Sequence, residues 1–206
     1  MGRTSRPISG DRGGRPAITI VHQLSVVAQR LFVDRGFERT SIEHIAEAAG
    51  ISRRSFFRYF SSKADVLFAE SAADLARLRE GLGAGRPADP YRAVVTRAVV
   101  AALTFSPEDR EWAWQRAQLI LTVPALQAHA SMVFAEWRHA AREYAQTRPG
   151  ADEVFGLAVG HAVLAASLGA HEYWIARPDS DLGDVLARLL ALLLPPEPDA
   201  SGAGAG

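Results

Sequence analysis

From about residue 18 to residue 194, apolar side chains recur at every third or fourth position, and no apolar/polar alternation long enough for a half-buried strand interrupts them. Ala, Leu, Arg and Glu dominate these stretches, and all four favour helices. Such a chain can close a core only by packing helix stripe on helix stripe, so the fold class is all-α. Its 206 residues, 48% of them hydrophobic, suffice for a sizeable core and exclude a wholly disordered chain. There is no cysteine, which removes disulfide frameworks, thiolate zinc or iron–sulfur sites and a cysteine nucleophile. Purely apolar stretches such as residues 189–194 fall far short of the ~20 residues of a membrane span, and no apolar leader opens the chain. The expectation is a cytoplasmic protein with no membrane partner.

About nine helical segments are predicted. The first covers roughly residues 19–34, with Leu24, Val27, Leu31 and Phe32 as its buried stripe, and Gly36 ends it. Residues 41–48 form a short second helix. Gly50 interrupts it, Ser52 stands where an N-cap belongs, and residues 53–60 make a third helix of about two turns. A fourth begins near Ser62 and runs toward Leu78, and the run GLGAGRPADP at residues 81–90 then breaks the periodicity. Segments at 91–103, 107–121, 124–147, 152–171 and 181–194 complete the set.

The formal net charge is zero, but it is unevenly spread. Residues 1–63 carry 11 basic and 5 acidic side chains, whereas residues 64–206 carry 12 basic and 18 acidic ones. Only the N-terminal part is electrostatically suited to a polyanion. Two short helices joined by a tight glycine turn, the second opening on a capped serine and two arginines, have the arrangement of a helix-turn-helix. Phe56 and Phe60, four residues apart, can anchor the third helix, leaving Arg53, Arg54, Ser55, Phe57, Arg58 and Tyr59 around the rest of it. Arg53 and Arg54 are the preferred base readers because arginine pairs bidentately with guanine O6 and N7. Tyr59 and Lys63 suit phosphates, Lys63 lying in the first turn of the fourth helix, whose N–H groups can also face one.

Residues 28–67 resemble the DNA-binding domain of the TetR family of one-component transcriptional regulators. The resemblance is carried by Leu31-Phe32, Gly36-Phe37, Thr40-Ser41, Ile45-Ala46, Ala49-Gly50-Ile51-Ser52 and the run from Phe56 to Phe60 that closes on Ser62-Lys63. It implies that Thr40 and Ser41 meet the phosphate backbone. It also implies that Arg53, Arg54, Ser55 and Arg58 lie on the recognition helix, and that Tyr59 and Lys63 contact phosphates. Phe57 stands where family members commonly have tyrosine, so a phosphate hydrogen bond is lost there and affinity shifts toward Arg58 or the N-terminal arginines Arg3, Arg6, Arg12 and Arg15. On this reading residues 1–17 are a flexible basic arm, 18–64 the helix-turn-helix domain, 65–194 a helical ligand-binding and dimerisation domain, and 195–206 a disordered tail.

The acidic remainder concentrates three of the four tryptophans, Trp112, Trp114 and Trp137, within about 30 residues. Such a cluster can line a cavity for an apolar or aromatic molecule, and it can equally be ordinary core. The candidate lining is Trp112, Gln115, Arg116, His129, Met132, Trp137 and His161. The histidines show no metal-ligand spacing, and no nucleophile elbow or catalytic triad order occurs, so neither a metal, a cofactor nor an enzymatic activity is expected. The last two long segments carry more apolar surface than one stripe needs, including Phe155, Val159 and Val163 on one and Leu186, Leu189, Leu190 and Leu193 on the other. Packed against their symmetry mates they would make a four-helix dimer interface, as the resemblance also implies. The function expected is a homodimeric repressor released from palindromic double-stranded DNA by a hydrophobic or aromatic effector. An activator, a corepressor-dependent regulator and a helical protein–protein module remain open alternatives.

Overall fold

A computed structural model describes residues 17–198. The arginines expected in the N-terminal arm lie outside these residues, as does the tail beyond residue 198. Nine α-helices occur among the described residues. α1 (Ala17–Arg35) buries Leu24, Ala28 and Phe32 along one stripe. α2 (Ile42–Ala48) is capped reciprocally: the Ser41 Oγ accepts from the His44 N–H, and His44 Nδ1 accepts from the Ser41 N–H. Gly50 turns the chain at φ 67°, a left-handed conformation that favours glycine. Ser52 then accepts from the Ser55 N–H at 3.0 Å and starts α3 (Arg53–Phe56).

α3 is shorter than the two turns expected. After Phe56 the chain tightens into three-residue hydrogen bonds, Arg58 N–H to Ser55 O and Tyr59 N–H to Phe56 O. This turn brings the Phe60 ring to 5.7 Å from Phe56, with both rings buried. The fourth helix is likewise not continuous from Ser62: a 3₁₀ turn (Asp65–Phe68) precedes α4 (Ser71–Gly83). Val66, Leu67 and Phe68 are all buried, and three successive buried side chains need packing on most sides of the segment rather than on one helical face.

α5 (Tyr91–Leu103) follows, then a 3₁₀ turn (Pro107–Asp109) where an α-helical start was expected, and α6 (Arg110–Thr122). α7 (Pro124–Gln146), α8 (Glu153–Ala176) and α9 (Leu182–Leu193) complete the chain. α8 runs more than a turn beyond the expected end at residue 171 and so carries Trp174 within it. It is the single described helix long and apolar enough to cross a membrane, yet it packs between α7 and α9 in the body of the protein.

Two apolar clusters form. The body cluster joins α4–α9 around Tyr91, Trp137, Val163, Trp174 and Leu186, with Ala117 from α6. The head cluster joins α1–α3 to Val66, Leu67 and Phe68, and it also takes Ile120, Leu126 and Ala130 from α6 and α7. The packing therefore shows no gap at the boundary expected near residue 64. The start of the expected tail is tied down as well. Pro195 O accepts from the Tyr91 hydroxyl and from Arg92 Nε at 2.9 Å, and Arg148 donates to Glu197 at 3.0 Å. The Tyr91 hydroxyl, on a buried residue of α5, and two arginines thus hold these residues against the body.

Candidate DNA-reading surface and effector cavity

The second and third helices and the turns beside them present Arg53, Arg54, Phe57 and Arg58 to solvent. These arginines differ in what they already hold. Arg53 Nη1 lies 3.0 Å from Glu43 Oε1, and its guanidinium sits 5.6 Å from the Phe57 ring centre. The Glu43 carboxyl is held below its ordinary pKa, first by its own backbone N–H, next by Ser41, and more weakly by Arg53. Arg58 lies 5.6 Å from the Tyr59 ring centre. Arg54 makes no ion pair among the described residues. Ser55 is half-buried with its hydroxyl 2.9 Å from that of Ser52. Phe57 is 45% exposed, a large apolar side chain set among cations.

Two expected phosphate contacts are placed elsewhere. Thr40 is 1% exposed and its hydroxyl faces Gly36 O at 2.9 Å and Leu31 O at 3.3 Å, so it closes the α1–α2 loop from inside. Lys63 Nζ donates to Phe37 O at 2.7 Å and Thr40 O at 3.0 Å, and lies 4.2 Å from the Phe37 ring centre. The N–H groups of Ser61 and Ser62, at the expected start of the fourth helix, already donate to Asp65 Oδ2 at 2.8 and 2.9 Å. Loop carbonyls that no helix satisfies draw in the nearest cation, and sequence spacing carries no sign of a contact across 26 residues. Lys63→Met is expected to lower the unfolding free energy by about 1–3 kcal/mol in a urea titration. A lysine engaged only by DNA would leave it unchanged.

A cavity of about 370 Å³ opens where the head meets the body. Trp112 and Arg116 from α6 and Trp137 from α7 line it, as expected. Gln115 does not, and bonds Glu111 on the surface of its own helix. The His129 ring lies 4.6 Å from that of Phe68, tilted against it, and faces Asp65 at 3.6 Å, on the head side. Met132 is 63% exposed, and His161 is exposed on α8. Periodicity marks these four as helical but cannot rank the faces of a helix that has neighbours on several sides. Sequence reasoning missed Asp74, Phe105, His171 and Trp174 as wall residues. The i, i+3 spacing of His171 and Trp174 was the available signal for two of them.

The wall contains a chain of charges across the joint. His22 Nδ1 on α1 lies 3.2 Å from Glu70, Arg116 on α6 lies 3.7 Å from Glu70 and 3.6 Å from Asp74, and Arg77 pairs with Asp74. Burial pushes the Asp74 carboxyl up, and Arg116 and then Arg77 oppose the shift. Gln29 on α1 donates to Trp112 O at 2.9 Å, a second tie between head and body. The His171 ring is held below its ordinary 6.5, chiefly by desolvation, with Arg116 adding a little and the Ser167 carbonyl opposing. An imidazole kept neutral in the fold but free to protonate when unfolded stabilises the protein above pH 6.5 and loses that contribution as pH falls below it. Between pH 8 and 5.5, His171→Gln should therefore lose less melting temperature than the parent chain, as read by calorimetry.

Four of the seven expected dimer residues, Val159, Val163, Leu186 and Leu190, are buried within the single chain. Phe155 is half-buried with its ring 5.2 Å from Tyr91, and Leu189 is half-buried against the body core. Of the seven, only Leu193 is exposed. α8 is apolar nearly all round, so its sequence could not say which face turns inward. The exposed stripe is instead Leu157, His161 and Ala165, with Leu192 and Leu193 on α9.

A capped helix pair carrying outward arginines, set on a helical body with its own cavity, defines a helix-turn-helix transcriptional regulator. Residues 25–69 match the family described as bacterial regulatory proteins, tetR family, and residues 89–198 match the MftR C-terminal domain. The chain belongs to the TetR family. It is 31% identical, over 85% of its length and 89% of the relative's, to a Mycobacterium tuberculosis protein named as mycofactocin biosynthesis transcriptional regulator MftR. Its fold is shared with a TetR-family regulator of Syntrophomonas wolfei, at TM-score 0.65 and 12% identity over 86% of this chain and 94% of that one. It is also shared with SmeT of Stenotrophomonas maltophilia in a triclosan complex, at TM-score 0.62 and 20% identity over 86% and 92% of the two chains. Proteins of this family are non-enzymatic DNA-binding regulators, and among the described residues no cluster of His, Asp or Glu could hold a metal ion.

Proposed function

We propose that the protein is a homodimeric repressor that binds a palindromic operator and leaves it when a hydrophobic or aromatic small molecule enters the cavity. The observation that carries this reading is the position of the cavity on the joint. Glu70 faces both His22 of the head and Arg116 of the body, so one side chain feels both domains. A molecule that displaces Arg116 or Trp112 alters the Glu70 and Gln29 ties to α1, and with them the tilt of the reading head. It shifts the equilibrium only by the difference in its affinity for the two arrangements. Arg53, Arg54, Ser55, Phe57 and Arg58 form the base-facing surface, with Ser41 and Tyr59 flanking it. Dimerisation uses the exposed stripe of Leu157, His161, Ala165, Leu192 and Leu193, and the two-fold axis of the dimer makes the operator two-fold.

The test is selection of duplexes from a random library by the purified full chain, without effector, at fixed salt. Enrichment of a palindrome is expected. The Leu157→Arg chain should sediment as a folded monomer and enrich none. Enrichment of a single unrepeated half-site by the parent chain would refute the dimeric reading, and failure to enrich any sequence without effector would refute the repressor reading.

A further inference from the structure

Among the residues proposed above to face the bases, Phe57 alone is apolar, and the inference drawn from it rests on that operator reading. Phe56 and Phe60 are buried in the head, but Phe57 stays 45% exposed. Its N–H donates to Arg53 O at 3.2 Å, so the helical path continues to residue 57. At about 100° of turn per residue, Phe57 then stands between Arg53 and Arg54 on one face. The Arg53 guanidinium lies 5.6 Å from the Phe57 ring centre, and Glu43, 3.0 Å from Arg53 Nη1, holds it there. The Phe56 ring stands perpendicular to that of Phe57 at 5.7 Å. These contacts position the ring without burying it.

An apolar ring left in water among cations gains free energy only when an apolar group covers it. A phosphate does not serve. A tyrosine at this position would have a hydroxyl to donate to one, and phenylalanine has nothing to donate. In the major groove the base pairs present hydrogen-bond donors and acceptors, and the one apolar group among them is the C5-methyl of thymine. Arg54 supplies the neighbouring contact, with guanine. Phe57 follows it by three residues, about 4.5 Å along a helix axis, close to the roughly 3.4 Å between successive bases of a strand.

We propose that Phe57 is a specificity-determining residue that packs on the C5-methyl of a thymine, within about two base pairs of the guanine met by Arg54, in each half-site. Arg54 then selects by hydrogen bonds and Phe57 by an apolar contact. Arg53, kept beside the ring by Glu43, adds positive charge toward the phosphates.

The operator selected by the full chain is remade with deoxyuridine at each thymine in turn, at the matching position of both half-sites. Deoxyuridine keeps every hydrogen-bonding group of thymidine and removes only the methyl. In anisotropy titrations at fixed salt, one thymine position should stand out, with a loss of about fourfold per methyl and roughly 15-fold for the two half-sites together. Phe57→Ala should bind the thymine and uracil duplexes alike at that position while still discriminating at the guanine. Phe57→Leu, with a smaller apolar contact, should fall between the two, and it decides the assignment if the alanine chain folds poorly. Melting temperatures of both variants should match the parent, because the ring is exposed. An operator indifferent to all its thymine methyls would overturn the proposal and leave the operator reading standing. The same methyl dependence in parent, Phe57→Leu and Phe57→Ala would assign the methyl to another residue and overturn it as well. Failure of the parent to enrich any duplex would overturn the operator reading and this proposal with it.

Discussion

Arg54→Ala is expected to abolish selection of the operator while leaving the helix-turn-helix folded. A bidentate arginine–guanine pair discriminates by about 1–3 kcal/mol, and two copies in a symmetric dimer double that to roughly 2–6 kcal/mol. Anisotropy titrations should therefore show a loss of about 30-fold or more on the specific duplex and a much smaller loss on a random one. Arg53→Ala should cost less, because that guanidinium is already engaged 3.0 Å from Glu43 and rests on Phe57. Glu43→Gln tests the division directly. It removes a negative charge from the DNA-facing surface and frees Arg53, so affinity should rise on both duplexes and the ratio between them should fall. Equal losses in the two arginine variants would show that the Glu43 pair opens on DNA and that both arginines read bases.

Gly160→Val is expected to destabilise the body at the crossing of α7 and α8. A Cβ at Gly160 would sit 2.7 Å from the Arg138 carbonyl oxygen and 3.1 Å from Arg138 Cγ, where α8 crosses α7. The first of these is backbone and cannot move aside as a side chain would, so α7 itself must shift. Overpacking at such a contact costs about 1–3 kcal/mol and sometimes more, which for a chain of this size is roughly 2–12 °C in melting temperature. Gly83→Ala is the control, since a Cβ there meets nothing within 4 Å, and its melting temperature should stay close to that of the parent. Because α7 and α8 hold both Trp137 and Trp174, a folded Gly160→Val chain should also lose affinity for cavity probes.

What could be read from the sequence was whatever depends on neighbours three or four residues away. The 3.6-residue period located all nine helices, and Gly50 and Ser52 marked the turn between α2 and α3, because caps and left-handed turns are local demands on the backbone. The density of matched residues around that turn carried the family. The differences between expectation and fold share one physical origin. Thr40 and Lys63 were assigned to phosphates, yet in the fold they close a loop whose carbonyls lie 4 to 26 residues away in the chain. α8 was read as a helix, but its sequence does not mark its outer face, because an apolar residue such as Val159, buried in the single chain, carries no mark of which neighbour will cover it. Trp112 and Trp174 lie 62 positions apart, and no local pattern could foretell that both would line one cavity. The sequence by itself determined the helices, the turn between α2 and α3 and the kind of protein. The tertiary structure alone decided which arginine is free, which face of α8 is open and which residues wall the cavity, since each depends on which distant groups are brought together once water has been excluded.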